Sequence, residues 1–282
     1  MKIKFKFKFI VVSLVAFATL CFGIVMFQDF LIFAELKRFL TLFPEIPEAP
    51  RTDVDVSYPV MSDGTSLEVW KYSPKDKITS KKVALIVRGN RGSLNNMFDF
   101  QSWLADSGIK SYVYNFRGFG SSAGWPSEAN TYSDLKEMYK LVQKSEKVKA
   151  EDIIIVGYSL GSGPAAWLAA QYPVSAIVLF GGYYSLESAA RYRWYGFLAP
   201  FLHIHFETAK YLNETKAKCV VVAHGEKDPV IPVEESHKIE KEFSSKKGFY
   251  FVFNKDGAHD DVLYRMGDMA KQDLFGCLGQ VG

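Results

Sequence analysis

Apolar positions divide the chain into three regimes. From Phe9 to Phe27 they run without a charge, in the stretch FIVVSLVAFATLCFGIVMF. From Gln28 to Pro50 they are interrupted by Glu35, Lys37 and Arg38, then by Pro44, Pro47 and Pro50. From Thr52 onward, short unbroken apolar runs alternate with stretches of helical spacing. The first regime has the length a helix needs to cross a hydrocarbon core, and the prolines of the second mark a linker. In the third, VDVSYPV and SLEVWKYS predict a hairpin around SDGT, while KVALIVR, KSYVYNF, DIIIVGY, SAIVLFGG, AKCVVVAHG and GFYFVFNK predict strands. Helices are predicted over NMFDFQSWLADSG, over TYSDLKEMYKLVQKSEK with Thr131 or Ser133 as its cap, and over LGSGPAAWLAAQY and PVEESHKIEKEFSS. Continuous apolar strands separated by amphipathic helices imply a mostly parallel sheet covered on both faces.

One junction in this pattern carries chemistry. In IIIVGYSLGSGPAAWLAA, β-branched residues run into Gly157-Tyr158-Ser159-Leu160-Gly161, and an alanine-rich helical stretch follows at once. A serine on a tight turn from strand to helix exposes its hydroxyl as a nucleophile, and small residues such as Gly157 and Gly161 are needed where the two elements close around it. The competing reading is a serine that only caps the helix.

A hydroxyl becomes a nucleophile when a base takes its proton and a third group orients that base. HGEKDPVIP places Asp228 just past an apolar strand, and KDGAHDDVL places His259 in a loop after the last strand, ahead of a final helix. The order Ser159, Asp228, His259 is the one described for α/β-hydrolases. Glu226, Asp260 and Asp261 are rivals for the acid, and His224, at a strand end, reads as structural. His203 and His205 in FLHIHFE, with Glu207 nearby, resemble metal ligands but lack a third ligand motif, so neither metal nor cofactor is expected. Acyl transfer also needs donors for the oxyanion. The backbone N–H of Leu160 is one, and Asn90 in RGNRGSLNN is the choice for the second, ahead of Arg91.

Composition adds the setting. The 282 residues, 48% hydrophobic, can bury a substantial core. The formal charge of +3 includes Lys2, Lys4, Lys6 and Lys8 ahead of the first apolar run, so the remainder is close to neutral and gives no nucleic-acid footprint. Those lysines favour a cytoplasmic N-terminus and a domain on the other side of a membrane. A cleaved signal peptide is the alternative, with Ala16-Phe17-Ala18 as its site, although that site falls mid-run. Cys21 follows the bulky Leu20, which does not suit lipidation. Cys219 reads as a small core hydrophobe, and a Cys219–Cys277 disulfide is left open. The sequon Asn213-Glu214-Thr215 matters only in a secretory pathway.

From about Val54 to the C-terminus, these ordered motifs resemble the α/β-hydrolase superfamily. Within it, NFRGFGSSAGWPSE (Asn115 to Glu128) resembles the Arg-Gly-aromatic-Gly-x-Ser-x-Gly-x-Pro-Ser-Glu segment of the bud-emergence-protein-like branch, which includes membrane-anchored serine hydrolases and relatives of protein depalmitoylases. The resemblance implies an α/β-hydrolase domain over 52–282, following a cytoplasmic N-terminus and signal anchor at 1–29 and a juxtamembrane segment at 30–51. The aromatic-rich insertion at about 183–215 is expected as a short cap over the site, with a helix and turn packed on the sheet as the alternative. Two positions depart from the branch: Arg88 precedes Gly89-Asn90 where histidine is usual, and Asn115 stands where an acid is usual. The expected activity is a membrane-anchored serine hydrolase cleaving ester or thioester bonds of apolar acyl substrates, small, lipid-like or carried on a protein. A serine peptidase or amidase, and a non-catalytic membrane-tethered scaffold, are the alternatives. The expected placement is the periplasmic face of an inner membrane in a bacterium, or a lumenal face otherwise.

Overall fold

The unbroken apolar runs become the centre of one sheet. The computed structural model describes residues 2–26, 28–33, 51–75, 80–193 and 196–279. Among them, eight strands lie in the order β1-β2-β4-β3-β5-β6-β7-β8. They are β1 (Asp55–Ser57), β2 (Val69–Tyr72), β3 (Val83–Val87), β4 (Lys110–Tyr114), β5 (Ile153–Tyr158), β6 (Ala176–Phe180), β7 (Cys219–Gly225) and β8 (Phe249–Asn254). β1 and β2 run antiparallel at one edge, and β3 through β8 pair in parallel. The sheet thus has the mostly parallel arrangement that the apolar runs predict.

Alternate side chains of these strands enter two separate cores, because successive residues of a strand face opposite sides. Leu85, Val87, Ile155, Leu179 and Val222 pack on one face with α4 (Glu128–Glu146) and α5 (Ser162–Gln171). Ile86, Ile154, Val156, Val178 and Val221 pack on the other with α3 (Leu94–Ala105) and α9 (Val262–Cys277). Both faces are covered, as a parallel sheet requires. Helix α4 begins earlier than its pattern predicts. Its cap is Ser127, which accepts from the N–H of Asn130, whereas Thr131 lies inside the helix and donates its hydroxyl to the Ser127 carbonyl. Pro126 just ahead of Ser127 and Glu128 in the first turn favour that earlier start.

Three shorter helices complete the second half: α6 (Leu186–Ala190) and α7 (Thr208–Asn213) in the predicted cap, and α8 (Glu234–Phe243) after β7. A disulfide joins Cys219 at the start of β7 to Cys277 at the end of α9, with 5.9 Å between Cα atoms.

At the N-terminus, α1 (Lys2–Met26) is followed by α2 (Gln28–Phe33), so the junction predicted near residue 29 lies within a helix. Side chains on α1 are described for residues 10–23. Among the described residues, no helix is long and apolar enough to cross a membrane. Most of the predicted linker, residues 34–50, lies outside them. Phe33 is fully buried, and removal of its ring from water contributes on the order of 2 kcal/mol.

Candidate active site

Parallel strands end together, and the loops leaving their carboxyl ends meet in one place. Ser159 follows β5, Asp228 follows β7, His259 follows β8, and the loop of residues 88–92 follows β3. The turn at Ser159 is left-handed, with φ +52, an unusual conformation for a side chain other than glycine or asparagine. It is held by close approach of α5 to the sheet. A Cβ at Gly157 would lie 2.8 Å from Ala165 Cβ, and one at Gly161 would lie 2.2 Å from the Val87 carbonyl oxygen. Both glycines predicted for the elbow are therefore sterically required.

Ser159, His259 and Asp228 form one buried chain of hydrogen bonds. Ser159 Oγ is 2.9 Å from His259 Nε2, and His259 Nδ1 is 2.6 Å from Asp228 Oδ2. A carboxylate cannot donate, so the proton sits on Nδ1, and Nε2 is left to accept from the serine hydroxyl. The other carboxylate oxygen, Oδ1, accepts from the N–H groups of Val230 and Ile231, at 2.7 and 2.8 Å. Burial pushes the Asp228 carboxyl up. Hydrogen bonds from His224, His259 and the Ile231 amide outweigh it and hold the group well below the usual carboxylate range.

The rival acids are engaged elsewhere. Glu226 points into solvent. Asp260 Oδ1 lies 3.4 Å from the Tyr158 hydroxyl, and Asp261 accepts from the Ala258 N–H and Arg265 at the start of α9. His224, read from sequence as structural, is buried and also adjoins the relay. Its Nε2 lies 2.9 Å from the Ile231 carbonyl and 3.2 Å from Asp228 Oδ2, two acceptors that fix the Nε2–H tautomer. Its Nδ1 meets Ser236 Oγ at 2.7 Å. His203 and His205 are exposed, and among the described residues no three His, Cys, Asp or Glu side chains gather as a metal site.

Tyr158, which has no sequence signal of its own, and Arg88, marked in the sequence only as a departure, support the site. Tyr158 packs at a tilt against the His259 ring and Phe100, and its hydroxyl donates to the His259 carbonyl at 3.2 Å, which ties the histidine loop to the serine turn. Burial, with Asp260 adding to it, pushes that phenol above its ordinary range, so it stays a donor. Arg88 is buried and folds back on its own loop, donating to the carbonyls of Gly89, Arg91 and Gly92. The Gly89 carbonyl belongs to the same planar peptide as the Asn90 N–H, so the 3.1 Å bond from Arg88 Nε also sets the direction of that donor. Arg88 also donates to Asn115 Oδ1, and Asn115 passes a 2.8 Å bond to Glu68 Oε2. Glu68 accepts in addition from Trp70 Nε1 and the Ser121 N–H. The two positions that depart from the branch pattern are thus in direct contact. Gly120, at φ +51, leaves space for this network, since a Cβ there would meet Asn115 Nδ2 at 2.2 Å.

A groove of about 870 Å³ opens beside Ser159 and His259. Its walls are the 89–92 loop, α3 residues Met97, Phe100 and Trp103, and α9 residues Leu263, Tyr264 and Lys271. None of its described lining comes from the predicted cap at 183–215.

Comparison with known proteins agrees with the architecture. A family model described as the alpha/beta hydrolase fold matches residues 83–202. YfhR of Escherichia coli O157:H7 is 24% identical over 218 residues, 75% of this chain and 76% of that protein. Human alpha/beta hydrolase domain-containing protein 17B is 27% identical over 202 residues, 69% of this chain and 68% of that one. The crystal structure of the Pyrococcus furiosus esterase Pf2001 superposes with a TM-score of 0.63 at 19% identity, covering 84% of this chain and 97% of the esterase. The chain has the α/β-hydrolase fold.

Proposed function

We propose that the protein is a membrane-anchored serine hydrolase that cleaves ester or thioester bonds of apolar acyl substrates through an acyl-enzyme. The observation that carries this reading is the buried relay from Ser159 through His259 to Asp228, set on a left-handed turn. Ser159 Oγ attacks the substrate carbonyl while His259 Nε2 takes its proton. The carbonyl oxygen becomes an oxyanion held by the backbone N–H groups of Leu160 and Asn90. As the tetrahedral adduct collapses, His259 returns the proton to the departing alcohol or thiol, and Ser159 keeps the acyl group. Water, deprotonated by His259, then attacks the acyl-serine; the acid leaves and the serine regains its proton. Asp228 stays ionised throughout, holds the productive tautomer and stabilises the imidazolium. The likeness to an esterase and the groove of mixed apolar and polar lining support an ester-type substrate.

Anchoring is supported by α1, whose Ile10, Val12, Leu14, Val15, Leu20 and Phe22 are exposed, an apolar surface a bilayer would cover. The Cys219–Cys277 disulfide suits an oxidising compartment, which supports placing the catalytic domain outside the cytoplasm. The narrower tie to the bud-emergence-protein-like branch rests on the segment from Asn115 to Glu128, whose structural part is to support the 88–92 loop.

Hydrolysis of p-nitrophenyl esters of increasing acyl length by the full chain in detergent, beside Ser159→Ala, tests the reading. It predicts activity that peaks at one chain length and disappears in the variant. Equal inertness of two folded proteins contradicts it and favours the scaffold. Membrane placement is tested separately by alkaline carbonate extraction, after which the chain should stay with the membrane pellet.

A further inference from the structure

Helix α2 touches the working edge of the hydrolase domain at three points. Gln28 is buried, and its side-chain amide donates to the Phe201 carbonyl at 3.0 Å and accepts from the His203 N–H at 2.6 Å. Phe33 is fully buried, edge-on to Phe116 and Phe206. Between these anchors, the Ile32 carbonyl accepts a 3.0 Å hydrogen bond from Asn90 Nδ2. Asn90 belongs to the loop that lies against the serine, since a Cβ on Gly89 would sit 3.1 Å from Ser159 Cβ.

That loop has little stiffness of its own. Gly89 and Gly92 bracket it, and Gly92 takes φ +70. Arg88 grips three of its carbonyls from the protein interior, whereas the Asn90 side chain is gripped by α2. Resting on the reading of Asn90 as an oxyanion donor, we infer that α2 is a component of the active site. It is a strap whose Ile32 carbonyl positions Asn90, with Gln28 and Phe33 as its anchors. Helix α2 therefore sets the reaction rate, and whatever displaces it lowers turnover. Asn90 acts through its backbone, and Ile32, Gln28 and Phe33 are positioning residues.

The test uses the full chain in detergent, with Phe33→Ala to release the strap and Asn90→Ala to cut its bond while keeping the backbone N–H. The measurements are kcat and KM on p-nitrophenyl butyrate, and amide hydrogen exchange of residues 28–33. In Phe33→Ala the amides of α2 should exchange faster and kcat should fall about tenfold or more, with KM changed less than about twofold, as expected for a displaced donor. Asn90→Ala should lose kcat similarly. A residue that only stabilised the fold would lower the amount of active enzyme without this exchange signature confined to α2. Unchanged kcat with α2 released overturns the inference, as does a rise in kcat, which would make α2 a plug. If Phe33→Ala does not fold, Asn90→Ala decides alone, and wild-type kcat in that variant overturns the inference. An inert wild type that also fails to take up a phosphonate at Ser159 overturns the hydrolase reading, and this inference with it; an active wild type keeps the two questions separate.

Discussion

Two buried hydrogen-bond chains meet at the carboxyl edge of the sheet, and they are built in opposite ways. The first draws Ser159, His259 and Asp228 from three separate loops and ends on a carboxylate whose four nearest donors are two backbone amides and two histidines. The second runs from Arg88 through Asn115 to Glu68 and spends most of its bonds on backbone, the carbonyls of the 89–92 loop at one end and the Ser121 amide at the other. One chain can move a proton; the other fixes where a backbone donor points. A site of this kind therefore has a chemical half and a geometric half, and substitutions should separate them.

The largest effect belongs to the chemical half. Ser159→Ala should lower kcat on a p-nitrophenyl ester by on the order of 10⁴-fold or more without lowering the melting temperature. Asp228→Asn, which removes the acceptor that holds the His259 tautomer, should cost roughly 10²- to 10⁴-fold in kcat, read from initial rates at saturating ester. The geometric half should show in stability as well as rate. Arg88→Met leaves Asn115 Oδ1 and the Gly89 and Gly92 carbonyls short of a buried donor and should cost about 3 kcal/mol in urea unfolding. It should also lower kcat more than KM rises. Arg88→Lys, which keeps the charge and loses the fork, should fall between wild type and Arg88→Met in both measurements.

Features outside both chains give the scale. The Cys219–Cys277 bridge closes a loop spanning 58 positions, so Cys277→Ser should lower unfolding stability by about 2–4 kcal/mol, and a reductant should do the same to wild type. Glu146 has the smallest predicted effect. Burial pushes its carboxyl up, but hydrogen bonds from Lys110, Tyr112 and Lys71 bring it down to about 2. A lowered carboxylate stabilises the fold above its unfolded value and loses that contribution as pH falls through the folded one. The expected loss, discounted for solvent screening, is about 1–2 kcal/mol between roughly pH 4.5 and 2. Urea unfolding across that range should show a shallower acid dependence in Glu146→Gln than in wild type.

What was legible in the sequence follows the same division. Strands β3, β5, β6 and β7 are unbroken apolar runs, and the turn at Ser159 is written in adjacent residues, Gly157 to Gly161. Asp228 and His259 each sit just past such a strand, so parallel pairing brings them together once the sheet forms. Glu68, Arg88 and Asn115 lie on loops or strand ends far apart in sequence, and no local pattern joins an arginine to an amide and a carboxylate across them. The docking of α2 is equally hidden: a six-residue stretch, Gln28 to Phe33, after an apolar helix does not say what it packs on. The partners of His224 are equally hidden, because a turn from Asp228 to Ile231 brings its acceptor back to a strand end. The start of α4 was placed late because periodicity marks the packed face of a helix, and Ser127 lies ahead of that face.

The central claim is that Ser159 is the nucleophile. A fluorophosphonate reports this directly, because it forms a covalent bond to an activated serine and to few others. Mass spectrometry of the labelled full chain should locate a single adduct on Ser159, with labelling lost in Ser159→Ala and slowed in Asp228→Asn. A folded wild-type chain that takes up no label, or takes it up at another serine, would contradict the account.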